Sequence, residues 1–508
     1  MQVVWFKRDL RVDDHLPLVK AAAEGRCLCL YIFEPEIYQS EEFDSSHLLF
    51  ICEALRELRE NLRQLGGQLT IRVGSAREVL DRLHHDHSID AIWSHEETGN
   101  RITFDRDRRV SRWAQQHGVP WHEIPQHAVI RRLKSRDGWS KQRNQFFKHA
   151  PVAATTTGEL SSPAGVSAGS LPDAQSLGLT PTDKTGLQLG GESHAKEALQ
   201  SFLNERGQDY SAEMSSPVTA WDSCSRLSPY LAWGCLSMRR TIHSLRERQG
   251  QLRELRDSGE PVGNWLKSLR SFESRLSWHC HFMQKLEDQP SIEFENMSRV
   301  YDGMREEEFN QNHFDAWCAG QTGYPMVDAC MRALHQRSWI NFRMRAMLVS
   351  FASYHLWLHW RPTSVYLARH FLDFEPGIHF SQFQMQSGTT GINTVRIYSP
   401  IKQVKDHDPS GKFIREFVPE LAGVPDKHIA EPHKMTQDEQ SKAGCLLGAD
   451  YPTPIVQHAV AYKSARDRVY AIRRSDAARK EAQSVVTKHG SRKGGSSRAR
   501  FRKSGSRA

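Results

Sequence analysis

Four short apolar runs punctuate the first part of the chain: "QVVWF", "CLCLYIF", "QLTIRV" and "IDAIWSH". Between them lie stretches with helical periodicity, such as Leu49–Leu65 and Ala76–Leu83. Strand-length runs alternating with helices predict an α/β fold, a doubly wound parallel sheet of Rossmann-like type. From about Ser135 to Ser193 the pattern dissolves into Thr, Ser, Gly and Pro, as in "AATTTGELSSPAGVSAGSLPDAQS", which reads as a linker over the surface. Beyond it the period becomes helical. Val327, Cys330, Met331 and Leu334 mark one apolar stripe, and the segment from Phe342 is apolar on more than one side, so an all-α C-terminal domain with a deeply buried helix is expected. The expected division is an α/β domain over 1–132, a linker over 133–195, a helical domain over 196–460 and a basic tail over 461–508. No internal repeat appears.

Composition narrows the class. The 508 residues are 38% hydrophobic and 25% charged, as in soluble globular proteins. No run of roughly 18 apolar residues occurs, and "MQVVWFKRDLRVDD" turns charged too soon for a signal peptide, so a cytoplasmic protein with no membrane partner is expected. The nine cysteines include no CxxC; Cys27 and Cys29, the closest pair, sit in an apolar run and read as buried thiols. Neither a disulfide framework nor a metal site is expected. The net charge of +8 is unevenly spread: 461–508 carries 15 Lys and Arg against 3 Asp and Glu, a net +12 that leaves −4 on the preceding 460 residues. The first part of this tail, "VQHAVAYKSARDRVYAIRRSDAARKEA", reads as helical, whereas "HGSRKGGSSRARFRKSGSRA" has too little apolar content to fold alone. A phosphate-binding arm and a merely solubilising tail both fit.

Two segments carry chemistry. In "DSCSRLSPYLAWG", Ser228 before Pro229 predicts an N-cap and a helix start, so Ser225, Arg226 and Ser228 surround free N–H groups suited to a diphosphate. The stretch "LDFEPGIHFSQFQMQSGTTG" (372–391) concentrates acids, a histidine and glutamines among apolar side chains, with Pro376 and Gly377 expected to break any regular helix early.

Those residues resemble a known family. "CSRLSPYLAWGCLS" is similar to the flavin-phosphate segment of the photolyase/cryptochrome family, and "VVWFKRDLRVDDHLPL" to its first strand and turn. "AWCAGQTGYPMVDACMRAL", "SWINFRMR", "DPSGKFIREFVPEL" and "YPTPIV" follow in the family's order. The resemblance spans about Gln2 to Val456 and implies a helical domain holding a U-shaped, non-covalent FAD. It implies cofactor contacts from Tyr210, from Cys224, Ser225, Arg226, Leu227 and Ser228, from Trp339 and Asn341, from an Arg345–Asp373 pair at the flavin's polar edge, and from Glu375 and His379. An antenna chromophore is left unnamed, because "HEETGNRITFDRDRRV" departs from the family's pattern; an empty site also fits.

Other departures bear on activity. His379 stands where the family has an asparagine or aspartate facing flavin N5, and its protonation near neutral pH is expected to change which redox state is favoured. Phe383 replaces the flavin-proximal tryptophan, leaving Trp360 and Trp317 as remnants of an electron relay or as packing residues. Trp278 matches a tryptophan that stacks on a flipped pyrimidine dimer, while Met385 replaces a second one and Arg275 replaces a glutamate that bonds the bases. With Arg396 these give an apolar wall and basic rim for UV-damaged DNA. The implied activity is a light-driven cyclobutane pyrimidine dimer photolyase, a monomer, in which His379, Trp278 and Met385 line the reaction site. A (6-4) photolyase, with His279, His281 and His379 entering the site, a cryptochrome-like photoreceptor and a flavin-free relative are the alternatives.

Overall fold

The computed structural model describes residues 1–154 and 160–491. Strands β1 (Gln2–Phe6), β2 (Cys27–Phe33), β3 (Leu69–Val73), β4 (Ala91–His95) and β5 (Trp121–Ile124) form one parallel sheet in the order β3-β2-β1-β4-β5. The first four are the apolar runs. The fifth, "WHEI", is an edge strand with no fully buried residue and so leaves no apolar signature. Helices α1 (Leu16–Glu24), α2 (Ser45–Gln64), α3 (Ala76–His87) and α4 (Arg101–Gln116) connect the strands.

The alternation of side chains along the central strands separates two cores. Val3, Trp5, Leu28, Leu30 and Ile32 face α3 and α4, meeting Val79, Leu80, Val110 and Trp113. On the opposite face Val4, Phe6, Cys29, Tyr31 and Phe33 belong to a cluster that includes Leu55 and Leu58 of α2 and also Leu227, Trp233, Phe272 and Trp339 of the helical half. That shared apolar core fixes the α/β half against the helical half. Burial of each such side chain contributes about 1.5–3 kcal/mol. Cys27 and Cys29 are buried thiols as expected, with burial pushing Cys27 up to about 12.

Polar groups lock the same seam. The turn after β1 runs "KRDLRVDD", and its charges dock on the segment after Tyr230: Arg8 Nε donates to the Ala232 carbonyl (2.9 Å), Arg11 Nη1 to the Gly234 carbonyl (2.9 Å), and Leu10 N to the Trp233 carbonyl (3.3 Å). Ser237 Oγ donates to Asp14 (2.6 Å), and Arg240 pairs with Asp13 (2.7 Å). Two motifs more than two hundred residues apart are thus halves of one joint.

The expected linker is not featureless. It carries α5 (Trp139–Phe146), whose Trp139 indole donates to Gln284 Oε1 (3.1 Å). The helical half contains α6 (Ser228–Ala232), α7 (Trp265–Asp288), α8 (Pro325–Arg337), α9 (Phe342–Ser350) and α10 (Pro376–Ser387), among others. Val327, Cys330, Met331 and Leu334 of α8 are all buried, and α9 is enclosed on several sides. The tail begins with two packed helices, α11 (His458–Arg473) and α12 (Asp476–His489); the part of the expected unfolded stretch over 492–508 lies outside the described residues. No helix among the described residues is long and apolar enough to cross a membrane.

Gly234 holds φ +69°, and a Cβ there would run into the Arg8 carbonyl and the Asp9 Cα. Gly234→Ala therefore lowers stability by about 2 kcal/mol or more, from left-handed strain and backbone overlap together. Gly250 lies in the helix Met238–Asp257, where an added Cβ would have no neighbour within 4 Å. Gly250→Ala should raise stability by about 0.5–1 kcal/mol. Thermal midpoints of the two variants moving in the same direction would refute this account of the seam.

Candidate functional site

In the loop from Cys224 to Ser228, two carbonyls are held by one half-buried cation. Arg206 donates to the carbonyls of Asp222 (3.1 Å), Cys224 and Ser225 (2.7 Å). Sequence reasoning missed Arg206, which lies outside the motif it holds. Helix α6 starts on Ser228 itself, with Leu227 in the cap position and no side-chain cap. The expected Ser228 N-cap is corrected by one residue, because Pro229 fits anywhere in the first turn.

Arg226 adopts φ +58° and lies between two indoles, 3.4 Å from the Trp221 ring centroid and 4.6 Å from that of Trp339. Its Nε donates to Gln188 Oε1 (3.0 Å), and no carboxylate pairs with it among the described residues. Burial, then the nearby Arg206, pulls its pKa down to about 10. A desolvated cation of this kind favours an anionic ligand. The Asn341 amide donates through Nδ2 to the Met214 carbonyl (3.0 Å), while its buried Oδ1 has no protein partner. An unsatisfied buried acceptor costs about 1–3 kcal/mol unless a ligand donor meets it.

Arg345 and Asp373 form a bidentate pair at 2.8 and 2.9 Å. Arg345 Nε also donates to the Ile340 carbonyl (2.8 Å), and its guanidinium lies 4.1 Å from the Phe371 ring centroid. Burial raises the Asp373 pKa, but the Arg345 charge and hydrogen bonds, with one from Ser228, outweigh it and hold the carboxyl below its ordinary range. Glu375, two residues on, is buried without such a partner. Desolvation pushes it up to about 7 against the opposing charge of Arg8.

Pro376 starts a helix here instead of breaking one: α10 runs from Pro376 to Ser387, with proline in the first turn. Gly377 lets α10 approach α7 so closely that a Cβ would meet the Met283 backbone at 2.8 Å. His379 then sits on the cavity wall. Its Nε2 is 2.8 Å from the Ser364 carbonyl, which only accepts, so Nε2 carries the proton and Nδ1 is the acceptor. Burial is the main cause of its pKa falling to about 3. The expected protonation near neutral pH is thereby corrected: apolar neighbours Phe374 and Phe383, at 5.1 and 4.6 Å, keep the ring neutral.

All these side chains line one cavity of about 1330 Å³: Tyr210, the Cys224–Ser228 loop, Trp339, Asn341, Arg345, Asp373, Glu375 and His379. The dimensions suit a dinucleotide with room to spare. The same cavity is lined by Arg275, Trp278, Met385 and Arg396. Trp278 is 40% exposed, and Arg275 lies 4.4 Å from its ring centroid and 4.5 Å from that of Phe342. Phe383 lines the wall, whereas Trp360 and Trp317 do not. Both are fully buried in the helical core, and the Trp360 indole donates to Asn296 Oδ1 (2.8 Å).

At the C-terminal end of the sheet, the divergent "HEETGNRITFDRDRRV" builds an ion cluster. Arg106 bonds Glu34 (3.1 Å), Glu97 (2.5 Å) and Asp107 (2.8 Å). The cavity left beside it is about 70 Å³, far below the size of a chromophore site. Asp9, His15 and His95 make the one His/Asp/Glu/Cys group among the described residues with metal-site spacing. There His15 Nε2 donates to Asp9 (2.9 Å) and His15 Nδ1 accepts from Leu18 N (3.1 Å), so this ring has no lone pair left for a cation.

Comparison with known proteins places these features. The model of the FAD binding domain of DNA photolyase matches residues 272–471, and that of DNA photolyase matches 2–148. The chain is 28% identical over 495 residues to a deoxyribodipyrimidine photo-lyase of Alkalihalophilus pseudofirmus, covering 92% of this chain and 97% of that one. It is 29% identical to a cryptochrome DASH of Gloeobacter violaceus, covering 89% and 92%. A crystal structure of a bacterial class III photolyase from Agrobacterium tumefaciens superposes with a TM-score of 0.78 at 25% identity, covering 93% of this chain and 98% of that one.

Arg345→Met strands the buried Asp373 carboxylate. It should destabilise the fold by about 3–5 kcal/mol at neutral pH and abolish co-purifying FAD. The unpaired carboxyl then has a raised native pKa, so the loss shrinks as pH falls and Asp373 protonates; an equal loss at pH 5 and pH 8 would contradict the assignment. Glu375 has the opposite sign. Its native carboxyl, near 7, binds its proton more tightly than the unfolded one at about 4.3, so its contribution to stability falls as pH rises through that window. Glu375→Gln should therefore raise the thermal midpoint of the FAD-free protein at pH 8 and leave it nearly unchanged at pH 4.

Proposed function

The chain belongs to the DNA photolyase/cryptochrome family and binds FAD, and from that premise we propose that it is a light-driven DNA repair enzyme, a cyclobutane pyrimidine dimer photolyase working as a cytoplasmic monomer. The observation that carries this reading is the exposed Trp278 ring on the wall of the cavity that also holds Arg345, Asp373 and His379. A flipped dinucleotide needs a flat apolar platform within electron-transfer reach of the cofactor, and one cavity supplies both. Reduced FAD, held by the Cys224–Ser228 loop, Asn341, Arg345 and Asp373, would supply light-driven one-electron transfer to the dimer.

The protein's part is to bind and orient. Trp278 stacks on the bases and Met385 adds a deformable apolar contact. Arg275 offers only donors, so it reaches carbonyl oxygens of the pyrimidines in place of the acceptor that a glutamate gives. Neutral His379 presents an acceptor nitrogen and adds no charge to a cavity rich in arginine.

Three histidines bear on the choice between cyclobutane and (6-4) substrates. His279, His281 and His379 all line the cavity; His379 Nε2 is committed to the Ser364 carbonyl (2.8 Å), His281 Nδ1 accepts from Arg136 (3.3 Å), and His279 packs on His127 at 5.0 Å. Relatives named photo-lyase and cryptochrome DASH match this chain about equally well. The open platform favours repair over signalling.

Incubation with separate cyclobutane and (6-4) oligonucleotides under blue light tests the proposal. Intact thymines should return from the cyclobutane substrate alone and only in the light. Trp278→Ala should weaken binding to that substrate about tenfold to a hundredfold while keeping FAD, since base–aromatic stacking contributes roughly 1–3 kcal/mol. Selective binding without light-dependent repair would point instead to a photoreceptor, and repair of the (6-4) substrate would overturn the lesion assignment.

A further inference from the structure

Glu375 stands between two cavities. It lines the large one shared by Arg345, Asp373 and His379, and it also lines a small one of about 20 Å³ inside the seam. The small cavity lies at the C-terminal ends of β1, β4 and β5, where Asp9, Glu96, Glu97 and His127 face Ala232 of α6 and Met283 of α7. A polar space of roughly 10–15 Å³ already holds one water molecule, so this one is large enough. His127 Nδ1 is buried and has no hydrogen-bond partner among the described residues, which leaves a polar wall residue that the protein alone does not satisfy.

Electrostatics divides the four acids on the small cavity. Burial raises the Asp9 pKa, but His15 (2.9 Å) and His95 (2.7 Å) outweigh it and hold the carboxyl well below its ordinary range. Burial opposes ionisation of Glu97 as well, yet Arg106 and Lys7 bring it down to about 2. Glu96 and Glu375 go the other way. Burial pushes Glu96 up against the charge of Arg131, whose Nε stands 3.9 Å away. Burial pushes Glu375 up to about 7 against Arg8, with Glu97 and Asp373 adding to the rise. Two acids on one water-sized space are thus pushed toward holding a proton. Glu375 is the inner one, and Glu96, with its side chain 22% exposed, meets solvent.

The large cavity has no other acid suited to give a proton. Asp373 is the second acid on its wall, and against the effect of burial Arg345 keeps it ionised. His379 has its one ring proton bonded to the Ser364 carbonyl and resists a second. Two-electron reduction of FAD to its anionic form nevertheless takes up one proton.

We propose that Glu375 is the proton donor to the bound cofactor, and that Glu96 and a water in the seam cavity restore its proton from solvent. As an external reductant delivers two electrons, the Glu375 O–H bond breaks and its proton passes to the cofactor. The carboxylate left behind takes a proton from the seam water, the water takes one from the Glu96 carboxyl, and Glu96 takes one from solvent. One proton crosses the seam for every two electrons, and both acids end as they began. The proposal rests on FAD binding and not on DNA repair, so a chain that mends no lesion leaves it standing.

The test follows proton uptake by the FAD-loaded full chain at pH 6, in weak buffer with a pH-indicator dye and without oxygen. Reduced methyl viologen serves as the reductant, because it gives electrons without releasing protons. Uptake should be at least tenfold slower in Glu375→Gln and in Glu96→Gln than in the unaltered chain, and Glu375→Asp should restore most of the rate. FAD content read from absorbance separates slow uptake from lost cofactor. An unaltered rate in either glutamine variant would overturn the proposal, since the proton then arrives from water in the large cavity. Glu96 lies outside the cofactor cavity, so its variant decides the route even where Glu375→Gln fails to hold FAD. Infrared spectra of the FAD-free chain at pH 6 add a measurement free of the cofactor. They should show a protonated carboxyl band that is missing from Glu375→Gln, and the same spectrum from both proteins would refute the assignment of Glu375.

Discussion

The cavity depends on one buried carboxylate. Asp373 is almost wholly inside the protein, where an ionised group without a partner is untenable, and its satisfaction draws three distant segments together. Arg345 comes from α9 and is itself fixed by the Ile340 carbonyl and the Phe371 ring. Ser228 comes from the start of α6 and hydrogen-bonds the same carboxylate. The loop between Phe371 and Glu375 supplies the acid. Each segment is a wall of the cavity, so one charge pair sets the distance between the Cys224–Ser228 loop and the side where His379 sits. An ion pair of this kind adds little net stability compared with an apolar substitute. What it gives is a set of fixed dipoles facing the cavity.

The α/β half contributes to this geometry although it holds none of the cofactor-lining residues predicted from the sequence. Arg8, directly after β1, reaches across the seam to the Ala232 and Phe374 carbonyls and stacks 4.3 Å from the Trp233 ring centroid. It therefore steadies both the end of the cradle helix and the acid loop, and its charge moderates the Glu375 pKa. This accounts for a strongly charged run placed immediately after a buried strand. Arg8, Arg11, Asp13 and Asp14 fasten that run to the other half, whereas Lys7 pairs with Glu97 and Asp107, and Asp9 with His15 and His95, within the α/β half.

Much of this was legible because the chemistry-bearing motifs are contiguous in sequence. The Cys224–Ser228 loop, the Trp339–Arg345 segment and the Asp373–His379 stretch each keep their residues together, and the structure brings all three to one cavity. The first four strands were legible from apolar content, which an edge strand such as β5 lacks. Arg206, Arg8 and Gln188 were not legible, since each acts on a motif remote from its own position by donating to a carbonyl or accepting from a guanidinium. The packing of the tail helices also escaped notice. α11 buries only Ala465 and Val469, and α12 Ala478, Val485 and His489, too few apolar positions to distinguish docked helices from solvated ones. The neutral state of His379 depends on burial and on Ser364, neither of which its sequence neighbours reveal.

The distribution of unpaired charge explains why the cavity is a binding site and not a packing defect. Among the described residues Arg226 lies between indoles without a carboxylate, Arg275 lies between Trp278 and Phe342 with the Met214 sulfur (3.9 Å) and Tyr210 as hydrogen-bond partners, and Lys285 is buried beside Arg136. Each of these cations is held by an aromatic face or by burial that weakens its hydration, and each faces the cavity. Such groups lower the stability of a protein on its own. Their persistence at three separated points of one wall marks a cavity built to meet acceptor or anionic groups of a ligand. His379, kept neutral by burial, leaves that excess of positive charge to Arg226, Arg275 and Lys285.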